Sequence, residues 1–102
     1  MTDIIIYTTP EKLLHKQGKL QDDEDYSDTG VYYWKFGRSL PKYFKLGDRV
    51  YFATKGIIRG YFVSDYLKYP DIGWNCDSWT EVKNQIPITH FQGFKYKSGD
   101  FS

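Results

Sequence analysis

With 102 residues, a formal net charge of +1 and 20% aromatic residues, the chain is sized for one domain over residues 1–102 with a small core. So small a net charge gives no whole-molecule field to draw in a polyanion. One cysteine, Cys76, excludes an internal disulfide framework and fits a reducing compartment, so a cytoplasmic location is expected. No apolar run approaches the ~20 residues that cross a bilayer, and the opening MTDIIIYTT carries no basic leader, so neither a membrane partner nor a signal peptide is expected.

In chain order, Ile4-Ile5-Ile6 is a β-branched run that predicts a strand buried on both faces. Thr9-Pro10-Glu11 predicts a helix start, with Thr9 as cap and Pro10 in the first turn. Thr8 with Glu11 offers a competing capping box, and Gly18 is the natural stop. The acidic run 21–28, QDDEDYSD, has almost nothing to bury and predicts a solvated, mobile loop. Val31–Phe36 predicts a strand, punctuated by Gly37 and Pro41. Leu46-Gly47-Asp48 predicts a turn into a central hairpin, and Tyr69-Pro70-Asp71-Ile72-Gly73 a further turn. Ser78-Trp79-Thr80-Glu81 fits either a capping box or a strand over Trp79–Val82. Ile88–Lys97 predicts a last strand bent at Gly93. The sum is an α+β fold: a small curved, mostly antiparallel sheet or pseudobarrel with one or two short helices.

Alternation sets an expected register for the hairpin. A two-residue loop at Lys55-Gly56 mixes apolar and charged residues on both faces. A three-residue loop, Thr54-Lys55-Gly56, pairs Ala53 with Ile57 and puts Val50, Phe52, Ile58, Gly60 and Phe62 on one face. Arg49, Tyr51, Arg59 and Tyr61 then share the other, and Gly56 takes the left-handed position.

The segment Lys35–Phe62 carries the functional signal. Its seven Lys or Arg (Lys35, Arg38, Lys42, Lys45, Arg49, Lys55, Arg59) face one acid, Asp48, a local charge of +6; the rest of the chain carries seven against 12 acids, or −5. Seven aromatics are interleaved with them, and cations with flat rings are what phosphates and bases require. On this reading Arg38, Lys42, Lys45, Arg49 and Arg59 hold phosphates, while Trp34, Tyr51, Tyr61 and Trp74 stack bases and Asn75 or Gln92 reads a base edge. The bland alternative is a solvated sheet face balanced by the acidic loop. A base pocket is a further candidate, walled by Trp34, Trp74, Trp79, Phe91 and Phe94, with Asp77 and Ser78 as added polar groups; core packing is the ordinary role of such tryptophans. Gly37-Arg38-Ser39 and Ser78 hint at a phosphate-holding turn without Walker-type spacing.

Cys76 has only His15 and His90 as sequence-distant bases, so an inert thiol is expected, and two histidines with one cysteine make no zinc set. No metal or cofactor is expected.

The run Lys45-Leu46-Gly47-Asp48-Arg49-Val50-Tyr51-Phe52, followed by Lys55-Gly56-Ile57-Ile58-Arg59-Gly60-Tyr61-Phe62, resembles the strand opening and hairpin of PUA-like domains of the ASCH and EVE types. Ile86-Pro87-Ile88 with Phe91-Gln92-Gly93-Phe94-Lys95-Tyr96 is similar to the closing strand of small ASCH-like proteins, in which a segment like Ser78–Val82 is a strand. The likeness covers residues 31 to 97. It implies a pseudobarrel whose cleft binds RNA, modified DNA or a modified nucleoside, in families that range from binding modules to small hydrolases. A hydrolase of that type would use a buried lysine with a hydroxyl and a carboxylate, drawn from Lys42, Lys45 or Lys55, Ser39 or Thr54, and Glu81. The reading taken forward is non-enzymatic recognition of RNA or a modified nucleotide. Its rivals are the hydrolase and a module that docks a protein partner through its charged segments.

Overall fold

The computed structural model describes residues 2–20 and 27–97, so most of the acidic run, 21–26, lies outside the described residues. Ile4, Ile5 and Ile6 are at most 4% exposed, and β1 (Ile4–Tyr7) is buried on both faces as its β-branched run predicts. Thr8 donates its amide to the Ala53 carbonyl and so prolongs β1; Thr9 is left to cap α1 (Pro10–Lys16), accepting from the Lys12 amide at 3.2 Å. Gly18, at φ 72°, follows the helix end as expected. Two turns of helix do not stand alone, and α1 is held by Leu13, which is buried against the sheet.

Six further strands follow: β2 (Val31–Lys35), β3 (Arg49–Thr54), β4 (Ile57–Lys68), β5 (Asp71–Asn75), β6 (Thr80–Pro87) and β7 (Phe94–Tyr96), with a 3-10 turn at Cys76–Ser78. They join in one mixed sheet of order β2-β5-β4-β3-β1-β7, with β6 branching from β4. Only β1 with β3 is parallel among the described pairings. The sheet is not closed into a barrel. It curls strongly all the same, for Phe36, one residue past β2, meets Phe94 of β7 at 5.8 Å between ring centroids.

The turn before β3 is built on Asp48. Its carboxylate accepts the Lys45 amide at 2.9 Å and the Thr2 amide at 3.3 Å, while Ser64 bonds its carbonyl. The acid within the basic segment is thus a buried structural group whose Oδ2 accepts two backbone amides. Trp79–Val82 resolves as strand from Thr80 onward, and Asn75, not Ser78, caps the 3-10 turn. The last strand is shorter than expected: Ile88–Gly93 is irregular and only Phe94–Tyr96 pairs, with β1.

The hairpin register differs from the expectation. Thr54 pairs with Ile57 across a two-residue turn, Lys55 (φ 50°) and Gly56 (φ 80°), the positive-φ pair such a turn needs. The mixed faces that argued against this loop are resolved one residue later. Ala53 pairs with Ile58 but Phe52 with Gly60, so Arg59 is an extra residue, a β-bulge that shifts the phase of everything beyond it. Val50, Phe52, Gly60 and Phe62 therefore do share the main core face. Ile58 instead joins Ile5, Tyr51 and Ala53 in a second cluster on the opposite face, covered by Val82, Ile86, Ile88 and Phe91.

Candidate ligand groove

The bulge separates the two hairpin arginines. Arg49 lies with Tyr51 and Tyr61: its guanidinium sits 4.5 Å from the Tyr61 ring centroid and donates to the Tyr51 hydroxyl at 3.4 Å. That hydrogen bond, with the nearby Tyr61 and Asp3, raises the pKa of Arg49 despite the opposing effect of burial. Arg59 turns to the other face. Its Nε donates to Thr54 Oγ1 at 2.9 Å and its Nη2 to the Thr54 carbonyl at 3.2 Å, and Thr54 alternates with Ala53 onto the side of Val50 and Phe52. The common outward platform of Arg49, Tyr51, Arg59 and Tyr61 does not exist.

The other expected site residues are dispersed. Trp74 is fully buried, stacked on Phe62 at 4.8 Å with 14° between planes, and its indole nitrogen donates to the Lys16 carbonyl. Tyr51 is 3% exposed and packs on Tyr61. Both are core residues, because the sheet is covered on both faces here. Asn75 accepts the Asp77 amide at 2.9 Å and donates to the Thr29 carbonyl, so its amide is committed to a cap and not to a base edge. Arg38, Lys42, Lys45 and Gln92 are exposed in loops, Lys42 near the ring of Tyr43. Trp34 is half-buried, edge-on to Phe52 at 5.6 Å. The five-ring pocket does not form either: Trp34, Trp74, Trp79 and Phe94 belong to the main core and Phe91 to the second cluster. Burial, together with the charge of Asp77, pushes the Cys76 thiol up and makes it a poor nucleophile.

What the fold does assemble is a groove of about 630 Å³ between α1, the end of the β3-β4 hairpin and β6. Arg59, Lys55 and Lys83 supply three cations to it against Glu81, with Gln17, Asn84 and Gln85 as further polar groups and Leu13, Leu14 and Trp79 as apolar wall. Trp79 is seated by a glycine. A Cβ on Gly60 would stand 2.6 Å from Trp79 Cζ2 and 2.4 Å from the Thr80 carbonyl oxygen, so only glycine lets that ring lie against β4. Among the described residues the buried Trp79 indole N–H has no hydrogen-bond partner, while its ring packs on Phe62 at 4.8 Å.

A second cavity of about 520 Å³ adjoins the groove, lined by Tyr7, Trp34 and His90 with Lys12, and sharing Pro10 and Lys55 with it. Trp34 and Tyr7 meet there although three strands separate β2 from β1 in the sheet order, a consequence of the curl. Of all these lining residues the sequence singled out Arg59, Trp79, Trp34, Lys55, Thr54 and Glu81. It missed Lys12, Gln17, Lys83 and Tyr7, which reach the site only through long-range packing. No known family model matches the chain, and no curated protein or solved structure matches it.

Proposed function

We propose that the protein is a non-enzymatic, PUA-like recognition module that binds single-stranded RNA or a modified nucleotide in the groove between α1 and β6. The observation that carries this reading is Arg59. Thr54 takes the Nε side of its guanidinium, so the group is oriented within the groove, and Nη1 has no hydrogen bond among the described residues. A guanidinium fixed in that way is suited to a phosphate oxygen, and holding it in place beforehand lowers the entropy lost on binding. The volume falls in the range of ~300–1,000 Å³ typical of small-ligand sites, and Trp79 adds aromatic wall to a net positive lining.

The hydrolase alternative finds Thr54, Lys55 and Glu81 around the same groove. Lys55 is exposed, however, whereas a lysine base requires burial, and the Thr54 hydroxyl already accepts from Arg59. Binding without turnover is therefore the better reading.

The test is fluorescence anisotropy with a labelled single-stranded RNA octamer across a salt series. The expected result is a log K that falls linearly with log salt, with a slope reduced by about 1 in Arg59→Ala as one phosphate contact is lost. Binding indifferent to salt, or release of a cleaved product, contradicts the reading.

A further inference from the structure

We infer that the groove and its neighbouring cavity are two halves of one site, which takes a dinucleotide step: one base in each, with the linking phosphodiester on Lys55. This rests on the proposed nucleotide reading and adds to it the length of chain recognised. Lys55 and Pro10 line both cavities, so a ligand passing from one to the other crosses the hairpin turn.

The turn is anchored for that purpose. The Gly56 amide donates to the Tyr7 hydroxyl, and its carbonyl accepts the Ile88 amide at 2.9 Å. Lys55 is the one non-glycine at positive φ among the described residues, at 50°. A long side chain is disfavoured there, while glycine and asparagine are tolerated. Strain kept at a ligand-sized opening is a mark of use, and what lysine adds over those two residues is a cation between the cavities.

The far cavity has the walls a base needs. Tyr7 and His90 stand edge to face at 4.8 Å, Trp34 lies beside them, and Lys12 adds positive charge. On the near side Arg59 and Trp79 repeat the pairing of cation and ring. Joining two weakly held nucleotides through one phosphate makes the second contact intramolecular, so affinity rises well beyond that of either half.

The experiment compares adenylyl-(3′→5′)-adenosine with adenosine monophosphate by quenching of tryptophan fluorescence, on the intact chain. The dinucleotide is expected to bind at least ~10-fold more tightly. Lys55→Gly, which the turn accommodates, is expected to weaken dinucleotide binding about tenfold with an undiminished melting temperature. Trp34→Leu is expected to weaken dinucleotide binding severalfold by removing one ring wall of the far cavity. Equal affinity for the two ligands, or dinucleotide binding untouched by Lys55→Gly, overturns the inference while leaving the groove reading standing. Failure of the RNA octamer and both small ligands to bind overturns the two together.

Discussion

Arg49 and Arg59 sit on adjacent strands of one hairpin, in similar company of tyrosines and aliphatics, and they end in opposite roles. Arg49 lies over the Tyr61 ring and ties itself to the Tyr51 hydroxyl on the face opposite the main core. Arg59, itself the extra residue of the bulge, is steered by Thr54 into a groove. Aromatic content, equal in the two neighbourhoods (Tyr51-Phe52 and Tyr61-Phe62), does not decide which arginine faces a ligand. The phase of the strand does, and one bulge resets it.

The comparison can be broken most forcefully at the core. Trp74→Ala is expected to cost about 4 kcal/mol in chemical denaturation, as for a buried aromatic leaving a cavity; a near-neutral result would return Trp74 to the list of ligand-stacking rings. Gly60→Ala, whose Cβ would lie 2.4 Å from a backbone oxygen beside the bulge, is expected to cost about 3 kcal/mol by the same measurement. Retained stability there would mean that the Trp79 seat and the groove wall are looser than described.

At the arginines the two sides should part. Arg59→Ala is expected to weaken RNA octamer binding about tenfold, about 1.4 kcal/mol, with little change in melting temperature. Arg49→Ala is expected to do the reverse: about 1 kcal/mol of stability lost with its ring contact and hydrogen bond, and RNA affinity within twofold. The smallest effect is expected at the turn. Lys55→Asn, which suits positive φ better, should raise stability by about 0.5 kcal/mol, visible as a small upward shift of the thermal midpoint.

Much of the fold was legible because it rests on local chemistry. The Ile4–Ile6 run, the Thr9 cap with Pro10, the Gly18 stop and the turn at Leu46-Gly47-Asp48 each follow from a few adjacent residues. The hairpin register was not, because the expected separation of core from solvent assumed one covered face. The segment 82–91 covers the second face and makes Ile58 a core residue there, a long-range fact that no local pattern contains. A signal was present nonetheless. Ile57-Ile58-Arg59-Gly60 breaks alternation at a strand-interior glycine, and both features mark a bulge or a close approach. The groove was legible at its hairpin side and, through Trp79 and Glu81, at the start of β6. Gln17, just past the end of α1, and Lys83 of β6 line the groove with Arg59 through sheet curvature and a seven-residue helix, neither of which charge counting along the chain can register.

The central claim is that the bulge divides ligand-facing Arg59 from structural Arg49, and it is tested most directly by an NMR titration of isotope-labelled protein with the RNA octamer. The account predicts saturable shifts at Lys55, the Arg59 side chain, Lys83 and the Trp79 indole, with Arg49 and Tyr61 unmoved. Shifts centred on Arg49 and Tyr61, with the groove silent, would contradict it.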